Sequence, residues 1–116
     1  MKKLSIYLII LTLVITVCLS GCASNKQIYY WGNYETLIYA YLKGESPGSQ
    51  LLSLERDRGR IEADGKKAPP GFYAHIGLLH MELGNIAEAI LCFETEKYLF
   101  PEAATYMDFL LTNLGR

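Results

Sequence analysis

This sequence has no marked excess of charge of either sign, no cluster of metal-ligating residues and no phosphate-binding loop. Eleven basic residues nearly balance twelve acidic ones, so nothing indicates the basic face that binds nucleic acid. The two histidines, His75 and His80, are five residues apart and point in different directions on a helix, which does not make a metal pair. There is no glycine-rich phosphate loop and no HExxH motif. We therefore predict a protein that is not an enzyme and has no metal site.

Long apolar runs are also scarce, since the sequence has one, from Leu4 to Leu19, near its amino end. Lys2 and Lys3 precede it and two small residues follow it, which is the pattern of a secretory signal. The run is shorter than the roughly 20 residues of a membrane-spanning helix, and no basic cluster follows it. We predict a cleaved signal peptide at 1–21, and a permanent transmembrane helix is the weaker alternative.

The four residues from Leu19 to Cys22 resemble the bacterial lipobox, in which an aliphatic residue and two small residues precede an obligatory cysteine. In lipoproteins of this kind the cysteine thiol receives a diacylglycerol, the signal is cut before it, and the new amine is acylated. The resemblance implies lipidation of Cys22, with no cofactor besides these covalent acyl chains. Ala23 and Ser24 follow instead of Asp, which in such lipoproteins favours the outer membrane, facing the periplasm. The alternative is an ordinary signal peptide with a cysteine nearby by chance.

Cysteine is too rare for a disulfide framework. Cys18 leaves with the signal and Cys22 is acylated, so Cys92 is alone in the mature chain. We predict that Cys92 is a small buried hydrophobe and not a nucleophile. The core must therefore be held by packing.

After a short polar tether at 22–28, apolar spacing of the helical type predicts an all-α domain over 29–116. Clusters of Gly, Pro, Ser and Asn, such as "GESPGSQ" and Pro69-Pro70, predict the connections. The predicted helices are Tyr30–Lys43, Gln50–Ala63, Phe72–Leu83, Ile86–Leu99 and Glu102–Leu114. The second is polar, and its "ERDRGR" string is interpreted as a solvated face with near-neighbour charge pairs.

The hairpin that begins at Pro70 resembles a tetratricopeptide repeat (TPR), a 34-residue helix pair with aromatic, small and proline residues at set intervals. His80 and Glu96 depart from that pattern, and His80 is interpreted as a buried or half-buried substitute for a tyrosine. A weaker copy begins 39 residues earlier, with about five extra residues assigned to its first loop. We predict TPR-like antiparallel helical hairpins, about two repeats plus a C-terminal capping helix. The matching residues are Tyr73, Ile76, Gly77, Gly84, Ala89, Phe93 and Pro101, and in the copy Tyr34, Leu37, Ile38 and Tyr41.

Two groups of residues are candidates for contact with a partner. The first is the aromatic string after the tether, with Tyr30 and Trp31, which is either core of the first helix or an interface. The second is the set of positions that face the concave groove in repeats of this type, namely Ala74, His75, Leu78 and Met81, of which His75, Leu78 and Met81 are the candidate contacts. These positions are mainly apolar, so an apolar protein partner fits better than a peptide carboxylate.

The lipobox, "YYWGNYE", the hairpin and "FPEAATYMDFLL" together resemble a family of small bacterial lipoproteins of unknown function described as TPR-like. Genes of that family tend to lie beside genes for a CsgG-like secretion-channel lipoprotein and a further small lipoprotein. The resemblance implies a lipid-anchored adaptor that binds or stabilises a cell-envelope assembly. The alternatives are a pilotin-like escort and a regulator of an envelope enzyme such as a peptidoglycan synthase.

Overall fold

The computed structural model describes residues 1–19 and 26–115, and it is helical through most of that length. The first helix, α1 (Lys2–Leu19), covers the apolar run, and its side chains as far as Thr16 are exposed. A search of the described residues finds no helix that is both long enough and apolar enough to cross a membrane.

Five further α-helices form the packed part of the chain. A single 3-10 turn, Pro101–Ala103, precedes the last of them. In the described ranges the only β-type pairing is an isolated bridge between Tyr29 and Lys67, so the predicted all-α fold class is confirmed. The helices are α2 (Tyr34–Leu42), α3 (Pro47–Ala63), α4 (Phe72–Glu82), α5 (Ile86–Leu99) and α6 (Ala104–Asn113).

The largest errors in the predicted helix boundaries are at two helix starts, since α2 begins at Tyr34 and not at Tyr30, and α3 begins at Pro47 and not at Gln50. Proline is favoured at the first helical position, because its missing N–H has no helical partner there and its fixed φ suits the helix. The string "GESPGSQ" is therefore mostly the first turn of a helix. The prediction for α5 is confirmed at both ends.

The helix pairs α2–α3 and α4–α5 share one pattern of buried positions at an offset of 39 residues. Apart from Tyr34, whose counterpart Tyr73 is half-buried, each position that is buried in the first pair has a buried counterpart in the second. The loops inside the two pairs are of similar length. The prediction that the extra residues lie in the first loop is therefore wrong, and they lie in the 64–71 connection. The shared positions are Ala40 and Leu79, Gln50 and Ala89, Leu54 and Phe93, Asp57 and Glu96, and Ile61 and Phe100.

The core has two hydrophobic clusters, and α4 contributes residues to both. One packs α2, α3 and α4 around Leu54 and Ile76, and the other packs α4, α5 and α6 around Phe93 and Met107. Gly77 makes the second cluster possible, because a Cβ atom at that position would lie 2.5 Å from the Phe93 ring. Successive helices thus pack against one another from α2 to α6.

Candidate interaction site

The turn that leads into α2 is fixed by backbone contacts to the rest of the domain. The Tyr30 N–H donates a hydrogen bond to the Lys67 carbonyl at 2.8 Å, and the Asn33 N–H donates to Asp57 Oδ2 at 3.1 Å. Between them Gly32 has φ +45°, and a Cβ there would lie 2.8 Å from the same carboxylate oxygen. The aromatic residues beside this glycine are therefore held in defined positions.

The aromatic string after the tether divides between core and surface. Tyr34 is buried, and burial followed by the nearby charge of Glu96 raises its pKa to about 12. Trp31 stacks on Tyr34 with ring centroids 6.3 Å apart and meets the ring of Tyr29 edge-on at 6.4 Å. Its side chain stays 38 % exposed. Tyr30 is half-buried against the first core cluster.

A cleft of about 500 Å³ opens beside Tyr29, between the 64–71 connection and the end of α5. Its walls are largely apolar, and the ring of Phe100 lies 6.2 Å from that of Tyr29. Lys66, Lys67 and Glu62 are its charged residues. The ammonium group of Lys66 lies 5.3 Å above the Tyr30 ring.

Glu96 is a structurally important residue that sequence reasoning missed. It departs from the TPR pattern, and its carboxylate accepts hydrogen bonds from the N–H groups of Gly71 at 2.6 Å, Tyr73 at 3.2 Å and Ala74 at 3.3 Å. These groups begin α4 and have no partner within the helix. Burial raises the pKa of Glu96, and the three backbone hydrogen bonds oppose that rise. Its counterpart Asp57 likewise accepts a hydrogen bond at the start of a helix, from the Asn33 N–H before α2.

The TPR resemblance implied that His75 faces an open groove, but it does not. Its side chain is 3 % exposed, because Tyr34 and Tyr41 of α2 pack edge-on against it with ring centroids 6.2 and 5.0 Å away. The buried Nε2 atom has no hydrogen-bond partner. Burial lowers the pKa of His75, and the charge of Glu82 opposes this effect. A direct contact between His75 and a partner would require α2 to move.

Leu78 and Met81 are half-buried and pack against the second core cluster, apart from the aromatic string. The structure therefore brings Tyr30 and Trp31 together but does not join them with Leu78 and Met81 in one surface. A side-chain contact joins the first helices of the two pairs, since Tyr41 of α2 donates a hydrogen bond to Glu82 of α4 at 2.7 Å. This hydrogen bond, followed by burial, raises the pKa of Tyr41.

The charged string on α3 forms the near-neighbour pairs that were predicted. Arg58 binds Glu55 at 2.8 Å, and Arg60 lies 3.5 Å from Asp57. The buried position of Asp57 was not foreseen, because the sequence shows it only as one charge among several. His80 is half-buried, as predicted, and its Nε2 lies 3.7 Å from Glu55.

Two features bear on catalysis. The residues from Gly44 to Gly48 match GxSxG, a motif that sequence reasoning overlooked, but Ser46 lies in an ordinary conformation at the start of α3, without the preceding strand of a nucleophile elbow. Cys92 is buried, as predicted, and burial raises its pKa to about 11. Within 1–19 and 26–115 no group of three or more His, Cys, Asp or Glu residues could hold a metal ion.

Cys22, the predicted site of lipidation, lies outside the described residues, and so does the predicted signal-peptide boundary. Among known proteins, no curated sequence and no solved structure matches the chain. A family model described as a domain of unknown function, DUF4810, matches residues 28–110. This match spans α2 to α5 and most of α6, together with the aromatic string. The chain therefore belongs to the DUF4810 family.

Proposed function

We propose that this protein is a lipid-anchored adaptor of the bacterial cell envelope, attached to the outer membrane through Cys22 and facing the periplasm. Its helical domain binds and stabilises an assembly of envelope proteins, with a CsgG-like channel lipoprotein and a further small lipoprotein as candidate partners. The domain is not an enzyme in this proposal. Cys92 supports that view, since a buried thiol with a pKa of about 11 makes a poor nucleophile.

The observation that carries the proposal is the α6 aromatic pair, defined as Tyr106 and Phe109. The two rings stack on each other 6.4 Å apart, and the side chains are 54 % and 60 % exposed. The opposite side of the same helix is buried through Met107, Leu110 and Leu111. Exposed aromatic residues beside one another are typical of protein interfaces, where they give large contact area at low entropy cost.

We also infer that the helix pairs are TPR-like. The offset of 39 residues between their buried positions, the close approach of Gly77 to Phe93 and the hydrogen bond between Tyr41 of α2 and Glu82 of α4 support this interpretation. Arrays of this kind need neighbouring units to complete burial of their apolar faces. A partner at α6 would supply the missing neighbour.

The anchor is tested by replacing Cys22 with Ser in the full chain. We expect the wild type to incorporate a palmitate analogue and to sediment with the outer membrane, and the variant to remain unlabelled and unprocessed. Equal labelling of both proteins would contradict lipidation at this residue.

The adaptor role is tested by placing a photo-crosslinking amino acid at Phe109 and, as a control of equal exposure on another helix, at Tyr39. We expect Phe109 to crosslink to one defined envelope protein and Tyr39 not to do so. Deletion of the gene should then destabilise that protein in the outer membrane. A client stranded in the inner membrane would instead indicate a pilotin-like escort, and an enzyme left in place but inactive would indicate a regulator.

A further inference from the structure

The cleft beside Tyr29 lies close along the chain to the proposed anchor. Tyr29 is seven residues after Cys22, and seven residues span at most about 25 Å even when fully extended. The part of the domain that carries the cleft is therefore confined to the neighbourhood of the membrane if Cys22 is acylated.

The surface around the cleft has the residue types of a membrane interface. Ile28 is 69 % exposed and Leu99 is 45 % exposed, and Trp31 adds a partly exposed indole ring. Tryptophan and tyrosine concentrate where headgroups meet acyl chains, since one end of each ring system is polar and the other apolar. Isolated exposed apolar residues are ordinary, but Leu99 lines the cleft, Ile28 directly precedes Tyr29 in the chain, and Trp31 meets the Tyr29 ring edge-on.

The charge of the domain is distributed unevenly between the segment that follows the proposed anchor and the rest of the chain. Residues 26–67 hold seven basic and six acidic side chains, whereas residues 68–116 hold two basic and six acidic ones. One acid of each segment is buried, Asp57 in the first and Glu96 in the second. Lys66 and Lys67 are exposed at the cleft, with Glu62 as its one carboxylate. The segment that follows the anchor in the chain therefore carries the less acidic surface.

From these observations we propose that the end of the domain that carries this cleft rests on a lipid surface. Tyr29 and Trp31 enter the interfacial layer, and Lys66 and Lys67 meet the phosphate groups of anionic phospholipids. This inference rests on the proposed anchor. Each lysine close to an anionic surface contributes a modest attraction that salt screens.

The test uses Trp31, which is the only tryptophan of the chain. The full lipoprotein is purified from membranes, its acylation is checked by mass spectrometry, and it is placed in vesicles of phosphatidylethanolamine and phosphatidylglycerol. We expect lipids brominated near the headgroup to reduce Trp31 fluorescence at least about two-fold. We also expect the vesicles to shield Trp31 from iodide, compared with the same protein in detergent.

A matched pair of charge reversals identifies the surface. Lys67→Glu at the cleft should reduce the quenching by bromolipid by about half in anionic vesicles, and added salt should do the same to the wild type. Lys43→Glu makes the same change at the carboxyl end of α2, and it should leave the quenching unchanged. Both lysines are exposed, so unaltered circular dichroism is expected for each variant.

Some outcomes overturn the inference. An anchored wild type whose Trp31 stays as open to iodide as in detergent would do so, and so would a Lys67→Glu variant that behaves like the wild type. Shielding that appears only when an envelope protein is added would assign the cleft to a protein partner and overturn the lipid assignment. If mass spectrometry finds Cys22 unmodified, the anchor fails separately, and quenching of the same chain by anionic vesicles still decides whether the surface binds lipid.

Discussion

The two helix pairs α2–α3 and α4–α5 have the same layout but differ in how tightly they are closed. In α4–α5 the small Gly77 faces the large Phe93, whereas the corresponding residues of α2–α3 are Ile38 and Leu54. The buried carboxylate of the second pair accepts three backbone hydrogen bonds, and that of the first accepts one. The second pair is therefore expected to be the stable framework on which the first is held.

Replacing Glu96 with Ala should produce the largest loss of stability. It leaves three N–H groups at the start of α4 without their acceptor in a buried site, which we expect to cost about 3 kcal/mol. Asp57→Ala removes one such acceptor and should cost about 1 kcal/mol. Urea denaturation monitored by circular dichroism measures both values. A larger effect for Asp57→Ala would show that the first helix pair, and not the second, is the more stable framework.

Gly77→Ala should have the next largest effect. The new Cβ would lie 2.5 Å from the Phe93 ring, and overpacking of this kind costs about 2 kcal/mol. Gly59→Ala is the matched control, since Gly59 is a helical glycine of α3 with no atom within 4 Å of the new methyl group. It should stabilise the chain by about 0.5 kcal/mol, because alanine restricts the unfolded chain. Equal destabilisation by both substitutions would contradict the close approach of α4 and α5.

His75 should make stability depend on pH where α2 meets α4. Its pKa is lowered by burial, so the folded state favours the neutral ring and the unfolded chain takes up the proton more readily. The stability that neutral His75 gives the folded state is fully present above the ordinary histidine pKa of about 6.5. It is lost as the pH falls through the lowered pKa of the folded state.

His75→Leu removes this contribution. Between pH 7 and pH 5 the wild type should therefore lose more stability than the variant, as measured by thermal unfolding. The difference between the two proteins isolates His75, because Glu96, whose raised pKa changes stability with pH in the opposite sense, is present in both. Identical pH profiles would show that His75 is solvated and that α2 does not cover it.

The sequence carried enough information for the helices but not for the polar residues within the core. Apolar periodicity located α4 and α5, and the two helices end shortly before Gly84 and Pro101, which are residues that break helices. Asp57 and Glu96 lie on helices with many other charges, and nothing local separates a buried carboxylate from a solvated one. The burial of His75 depends on two tyrosines supplied by α2, which is a tertiary contact that spacing within one helix cannot show.

The smallest expected effect on stability concerns Cys92 and its counterpart in the first pair, Ser53. Cys92 is buried with a raised pKa, whereas Ser53 is half-buried. In the native protein Cys92 should react with a thiol reagent only after unfolding, since thiolate and access are both lacking. Moving the thiol to the first pair, with Ser53→Cys in a Cys92→Ala background, should raise the labelling rate at least about ten-fold. Equal rates at the two positions would mean that the pairs open together as one cooperative unit and that their different closure has no consequence for local stability.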